Sequence, residues 1–267
     1  MTIDELPHLP NAVSASSVLS LIEHAREAIL AVYADTTMAV EYKADKSPLT
    51  LADRRSHTIL TEGLTRLTPE FPILSEEGRH LDWDTRRKWD YFWLIDPLDG
   101  TRDFVERTDE FTINVALVHE ERPIVGFLDV PVRQTTYLGV HDRGAYRIQD
   151  GLAVPIQAQL REPTQGFRCA VSRSHSSREA AWAEEHGVPV SEWIRAGSAL
   201  KFALVAEGSA DVYPRLGPTM EWDTAAGHCL VDAAGGKVHQ IDGEPLRYNR
   251  ENLKNPPFIA WGASPLF

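Results

Sequence analysis

The stretch WLIDPLDGT, residues 93–101, constrains this chain more than any other, because a run of large apolar side chains ends abruptly on Asp96 and Asp99. Tyr91 to Ile95 has the length and composition of a buried strand. Pro97 lacks an amide hydrogen and is expected to end the ladder, while Gly100 permits a tight turn. DPLDGT therefore reads as a loop from a strand into a helix or turn beginning near Thr101. Such a loop can aim Asp96, the Leu98 carbonyl and Asp99 at one point. Carboxylates crowded in that way raise each other's pKa unless a cation lies between them. The plainer alternative is a turn whose aspartates bond local backbone amides.

Other acidic groups favour the cation. FPILSEEG places Glu76 and Glu77 after a second short apolar run, and EWDTAAG places Asp223 where a helix starts. Taken singly, Asp223 is a helix cap and the glutamate pair a solvated turn. Taken together, these are oxygen donors at the exits of separate apolar elements, a set suited to Mg²⁺ or Mn²⁺. No His-x-x-x-His or Cys-x-x-Cys spacing accompanies them, which disfavours zinc. Several carboxylates around such cations usually serve to neutralise a phosphate and activate a water, so phosphoryl chemistry is the first class to consider.

Composition narrows the partners. A formal net charge of −12 makes the chain a poor match for nucleic acid or an anionic membrane, and any phosphorylated ligand needs local positive charge. Cys169 and Cys229 are too few for a disulfide scaffold; they read as two buried thiols, with a single bridge left open. The acidic, proline-broken start MTIDELPHLP carries no apolar signal core, and no run of apolar residues is long enough to span a bilayer. The expectation is a cytoplasmic protein without a transmembrane segment, with peripheral membrane association and the choice between monomer and homodimer left open.

With 267 residues, 43% of them hydrophobic, the chain can bury a large core. Ser16 to Tyr33 and Thr50 to Leu67 carry apolar residues at helical spacing. Phe111 to His119 alternates, and PIVGFLDVPV, TTYLGVH and GAYRI follow as the strands of an antiparallel meander. After Pro163 the pattern restarts with a strand near 168–172, helical stretches near 178–186 and 199–207, and a helix over 223–234 stopped by Gly235-Gly236. Two lobes are expected: an α+β lobe over 1–160 holding most of the candidate ligands, and an α/β lobe over 161–267 holding Asp223 and the substrate-side residues.

LIDPLDGTRDF, the upstream SEE, KSPLTLAD and EWDTAAGHCLVDAAGG resemble the signatures of the inositol monophosphatase superfamily, Mg²⁺-dependent, lithium-sensitive phosphomonoesterases, over roughly residues 40–240. SRSH, GSALKF and VAEGSADVYPRLGPTMEWDTAAG are most similar to its 3'(2'),5'-bisphosphate nucleotidase branch, associated with sulfur metabolism. TRDF departs mildly from the Thr-Lys-Glu-Phe or Thr-Arg-Glu-Phe more common in that branch.

The resemblance implies a layered α-β-α-β-α sandwich. It implies that Glu76, Asp96, the Leu98 carbonyl, Asp99 and Asp223 hold two or three Mg²⁺ ions, and that Asp53 and Thr101, with Glu76, form the catalytic set. Thr101 paired with Asp53 would orient and deprotonate a water. Gly100 and Thr101 amides at a helix start would suit a phosphate. Lys46, His175, Ser198, Lys201, Arg215 and Asp223 would reach the substrate; a helix cap for Ser198, surface charges for Lys201 and Arg215, and loop positions for Lys46 and His175 are the ordinary readings beside it. The implied substrate is a small phosphorylated nucleotide, adenosine 3',5'-bisphosphate, cleaved at its 3'-phosphate to AMP. Inositol monophosphatase or fructose-1,6-bisphosphatase activity on the same scaffold is the alternative. A non-catalytic metal- or phosphate-binding protein is a third, disfavoured because binding alone would not need both Asp53 and Thr101.

Overall fold

Helical periodicity at the start becomes two packed helices, α1 (Ala15–Tyr33) and α2 (Leu51–Leu67). The structure, a computed structural model, describes residues 1–6, 9, 13–35, 40–42, 48–173 and 176–262. Lys46 and His175 therefore lie outside the described residues. Val18, Ile22, Ala25 and Ile29 form the buried stripe of α1, and Thr50 caps α2 by accepting the Ala52 amide at 3.1 Å. A short antiparallel pair, β1 (Val40–Tyr42) and β2 (Pro48–Thr50), lies between the two helices in the chain.

The first large sheet is built from β3 (Ile73–Ser75), β4 (Tyr91–Asp99), β5 (Thr112–His119), β6 (Arg122–Val130), β7 (Thr135–Val140), β8 (Gly144–Gln149) and β9 (Leu152–Ile156), paired in that order. All pairs are antiparallel except β3 with β4, and the meander over β5–β9 is as expected. Two short helices, α3 (Trp83–Arg86) and α4 (Thr101–Val105), flank β4. The second sheet has the order β11-β10-β12-β14-β13, from β10 (Phe167–Val171), β11 (Val190–Arg195), β12 (Val212–Arg215), β13 (Lys237–Gln240) and β14 (Phe258–Trp261). Its connections carry α5 (Ser176–Glu185), α6 (Leu200–Ala206) and α7 (Glu221–Ala233).

The clusters of buried side chains fix the layers. On β5, Ile113, Val115 and Leu117 join the cluster made with α1 and α2, whereas Ala116 and Val118 join the one made with α6 and α7. The alternation is thus a strand buried on both faces. Phe167, Cys169 and Val212 pack with Trp182 and Ala183 of α5 on the far face of the second sheet. The result is the α-β-α-β-α sandwich. Its middle layer joins the two halves, since one core cluster contains Phe92 and Leu128 together with Phe202, Tyr213 and Phe258. Glycine makes that closeness possible: a Cβ at Gly126 would meet the Ala226 carbonyl oxygen of α7 at 2.3 Å.

One expectation is corrected at the stretch that began the reading. Pro97 does not end β4, which continues to Asp99. Asp96 pairs with Asn114 and Asp99 with Thr112, so three steps on β4 answer two on β5. This is a bulge, and a bulge leaves backbone groups out of the ladder, so the missing proline amide costs nothing there. The extra residue also turns Asp96 and Asp99 to the same face of the sheet, which an unbroken strand with a side-chain period of two would not do.

Candidate active site

Three elements deliver the acidic residues to one place. β3 runs parallel to β4, and the Glu76 amide donates to the Ile95 carbonyl at 3.1 Å, which seats Glu76 beside the bulge. Asp96 folds back so that its Oδ1 accepts the Leu98 amide at 3.0 Å. Asp223 occupies the first turn of α7, where its Oδ2 accepts the Met220 amide at 2.8 Å. Asp223 therefore caps its helix and faces the other acids. Carboxylate oxygens of Glu76, Asp96 and Asp223 lie within 4.8 Å of one another.

Such crowding has an electrostatic signature. Burial, then the charges of Glu76, Asp99 and Asp223, push the Asp96 carboxyl well above its usual range. Burial and then Asp99 do the same to Asp223. Asp99 is pushed up to about 6, chiefly by burial, with the Lys201 ammonium and the Ala199 amide opposing the rise. The Ala199 amide donates to Asp99 Oδ2 at 2.6 Å. A donor set made only of oxygens, this close and this costly to ionise, fits a hard divalent cation.

The proposed proton pair is also assembled. Asp53, 1% exposed, receives the Thr50 amide at 2.8 Å and the Thr50 hydroxyl at 2.6 Å on Oδ2. Its Oδ1 accepts the Thr101 hydroxyl at 3.1 Å. Burial raises the Asp53 pKa against these hydrogen bonds. Thr101 Oγ1 is also 3.4 Å from the Leu98 carbonyl, which places that carbonyl at the same corner. Gly100, at φ +87°, makes the turn into α4; a Cβ there would stand 3.1 Å from Cβ of Ser198.

Beside the acids opens a cavity of about 480 Å³ whose walls include Asp99, Thr101, Ser198, Lys201, Arg215 and Asp223. Ser198 precedes α6 with φ 40° and donates its hydroxyl to the Glu110 carbonyl at 2.8 Å, so it is no helix cap. Lys201 is not a surface charge. It is 3% exposed and its ammonium donates to the Ala196 and Ser198 carbonyls. Burial lowers its pKa to about 8, with Arg215 adding to the effect and Asp99 opposing it. Arg215 donates through Nη1 to Ser172 Oγ at 2.5 Å and through Nη2 to the Pro218 carbonyl, and its buried Nε has no acceptor among the described residues.

Several contributors to the site carry no motif. Ser56 on α2 donates to the Pro97 carbonyl at 2.7 Å and pins the bulge. Asn114 and Thr112 lie within 3.5 Å of Asp99 Oδ2. Glu110 takes both arms of Arg173 at 2.7 Å and the Gly197 amide at 2.7 Å, holding the loop that presents the Ala199 amide. Bulky partners would have been legible; these are small or polar residues acting across the fold.

The family model for the inositol monophosphatase family matches residues 14–260. This chain belongs to that family. It is 43% identical over 244 residues to the 3'(2'),5'-bisphosphate nucleotidase CysQ of Escherichia coli strain K12, spanning 90% of this chain and 96% of the relative. The corresponding Haemophilus influenzae protein is 38% identical over 224 residues, 84% of this chain and 83% of its own. Among solved structures, CysQ from Bacteroides thetaiotaomicron superposes with a TM-score of 0.78 at 42% identity, covering 92% of this chain and 96% of the other. The suhB protein of Bartonella henselae shares the fold at a TM-score of 0.77 and 23% identity, over 92% of each chain. The family is metal-dependent, and the Glu76, Asp96 and Asp223 cluster is this member's candidate metal centre. Among the described residues no helix is long and apolar enough to cross a membrane.

Proposed function

We propose that this chain is a Mg²⁺-dependent phosphomonoesterase that removes the 3'-phosphate of adenosine 3',5'-bisphosphate, yielding AMP and inorganic phosphate. One juxtaposition carries the assignment: the Asp53–Thr101 hydrogen bond stands next to a cluster of oxygen donors at the edge of a cavity that also holds Lys201 and Arg215. Glu76, Asp96, the Leu98 carbonyl, Asp99 and Asp223 would hold two Mg²⁺ ions, or three, with Mn²⁺ able to substitute. Bound there, divalent cations supply charge neutralisation for the phosphoryl oxygens and a more acidic water.

The chain's own residues do the rest. Because the Thr101 hydroxyl proton points to Asp53, its lone pairs are left to accept a proton from a water in the cavity. Buried Asp53 has a raised affinity for protons and can receive the Thr101 proton in turn. The spectator 5'-phosphate needs cations in a chain of net charge −12, and Arg215, with one buried donor unanswered, suits it. Lys201 lends charge to the same wall while fixing the Ser198 loop. The activity of the CysQ relatives supports the nucleotide over inositol phosphates. The two free buried thiols fit a reducing, cytoplasmic setting.

The test is inorganic phosphate release across adenosine 3',5'-bisphosphate, inositol 1-phosphate and fructose 1,6-bisphosphate in Mg²⁺. The proposal expects the nucleotide to have the highest kcat/KM, by tenfold or more on the scale of one charge-assisted contact. Preference for inositol 1-phosphate would move the chain to a different substrate on the same scaffold.

A further inference from the structure

A second cavity, of about 390 Å³, opens where α7 meets β13 and the starts of β6 and the β7–β8 turn. Its chemistry is unlike that of the first. Arg122, His141, His228, Lys237 and His239 line it, with Asp232 as its one carboxylate. Asp232 is already engaged: it accepts the Val238 amide at 3.2 Å and faces His228 Nε2 at 3.5 Å. The side chains of Arg122 and Lys237 make no hydrogen bond or close ion pair among the described residues, although Asp232 feels the charge of Lys237. Two cationic side chains in one concavity make a local positive centre in a chain whose net charge is −12.

The two cavities are joined through the core. His228 Nδ1 lies 3.0 Å from the hydroxyl of Tyr248, a residue with no exposed surface. That hydroxyl donates to Thr224 Oγ1 at 3.3 Å. Thr224 lines the first cavity and follows Asp223 in the chain. His228 thus bridges two groups, with Nδ1 facing Tyr248 and Nε2 facing Asp232, and Tyr248 leads on to Thr224.

We propose that this second cavity is an effector site for a small tetrahedral dianion, whether a free phosphate or sulfate or the phosphoryl group of a phosphorylated metabolite, coupled to the candidate active site through His228, Tyr248 and Thr224. The guanidinium of Arg122 offers a fork and Lys237 a point charge to such an anion. An anion held by Arg122 and Lys237 lies beside Asp232 and repels its carboxylate, which faces His228 Nε2 at 3.5 Å. Since the other ring nitrogen is tied to Tyr248, a shift of the imidazole displaces the hydroxyl that donates to Thr224, whose Oγ1 also accepts from Asn255 and donates to the Glu221 carbonyl in the first turn of α7 beside Asp223.

Binding is measured with sulfate by calorimetry on the whole chain in EDTA, an arm that does not depend on the phosphatase assignment. Saturable binding is expected, its tightest site weakened tenfold or more in the Arg122→Ala/Lys237→Ala double variant, as for loss of charge-assisted contacts. Arg215→Ala, which removes a cation from the first cavity, should leave sulfate affinity within about twofold, since the two sites share no charged group. Ribose 5-phosphate run beside sulfate tells the source: tighter binding marks a phosphoester ligand, equal binding a bare anion. Coupling is read in Mg²⁺ at saturating substrate, where sulfate competing at the first cavity no longer contributes. There kcat should change by twofold or more in the parent and stay constant in Tyr248→Phe, which still binds sulfate; if that variant does not fold, Thr224→Val breaks the next link. Absence of saturable binding, or binding lost in Arg215→Ala and kept in the double variant, overturns the site. A parent kcat indifferent to bound sulfate overturns the coupling.

Discussion

Asp53 shows how one carboxylate is given one task. Thr50 takes up Oδ2 with two hydrogen bonds, so only Oδ1 is left to hold Thr101. Thr101→Ala and Asp53→Asn should each lower kcat by roughly 10² to 10⁴, the range of general-base loss, while calorimetric Mg²⁺ affinity stays near that of the parent. If the two residues act as one unit, the double variant should be little worse than either single, and fully additive losses would separate them. Arg215 makes a complementary case. Arg215→Ala should lower kcat/KM for adenosine 3',5'-bisphosphate by about one to two orders of magnitude, from about 1.5 to 3 kcal/mol of charge-assisted contact, and scarcely change it for inositol 1-phosphate. Equal losses on both substrates would give Arg215 a supporting role in the fold. Asp96, Asp99 and Glu76 were readable from the sequence because they stand at the exits of apolar runs, and Asp223 because it opens a helix. Ser56 and Glu110 were not, since their partners lie 41 and 87 positions away and nothing local marks them.

At the scale of elements, α7 ties the architecture to the chemistry. It carries Asp223 at one end and His228 and Asp232 further along, and it lies against β6 and β7 closely enough that only glycine fits beneath it. Gly126→Ala would press a methyl against the Ala226 carbonyl, a backbone atom that cannot step aside. The variant should lose about 1–3 kcal/mol of stability, the usual cost of overpacking, and need more Mg²⁺ for half-maximal activity because Asp223 moves with the helix. Unchanged unfolding and unchanged Mg²⁺ dependence would show that α7 tolerates displacement. The helices and the meander were legible because amphipathic period and turn residues are local signals. The bulge in β4 was not. Proline's lack of an amide argues locally for a strand end, and only the pairing of Asp96 with Asn114 and Asp99 with Thr112 shows a ladder that skips it.

For the molecule as a whole, the concentration of acids at one seam sets a pH dependence. Asp99 near 6 and Glu221 near 7 are raised by burial, and Asp96 and Asp223 are raised well above the usual carboxylate range. Raised carboxyls mean that the folded chain binds more protons than the unfolded one between about pH 4 and 7, so their stabilising contribution is present below that window and lost as pH rises through it. Asp211, Asp232 and Glu110 are lowered and vary mainly below about pH 5, and Lys201, at about 8, acts above the window. Metal-free chain should therefore unfold several degrees lower at pH 7 than at pH 5.5, and Mg²⁺ should raise Tm more at pH 7, where the carboxylates it binds are ionised. A metal-free Tm that climbs over this interval, or a larger Mg²⁺ effect at pH 5.5, would mean that these acids are not the groups in control.

The central claim joins reaction, metal and substrate, and one spectrum addresses all of them. Phosphorus-31 resonances of adenosine 3',5'-bisphosphate can be followed with the enzyme, first in EDTA and then in excess Mg²⁺. The account predicts no change in EDTA and, on adding Mg²⁺, decay of the 3'-phosphate signal with matching growth of inorganic phosphate while a 5'-phosphate signal remains as AMP. Loss of the 5'-phosphate instead, cleavage that proceeds without the cation, or a substrate left intact in Mg²⁺ would contradict it.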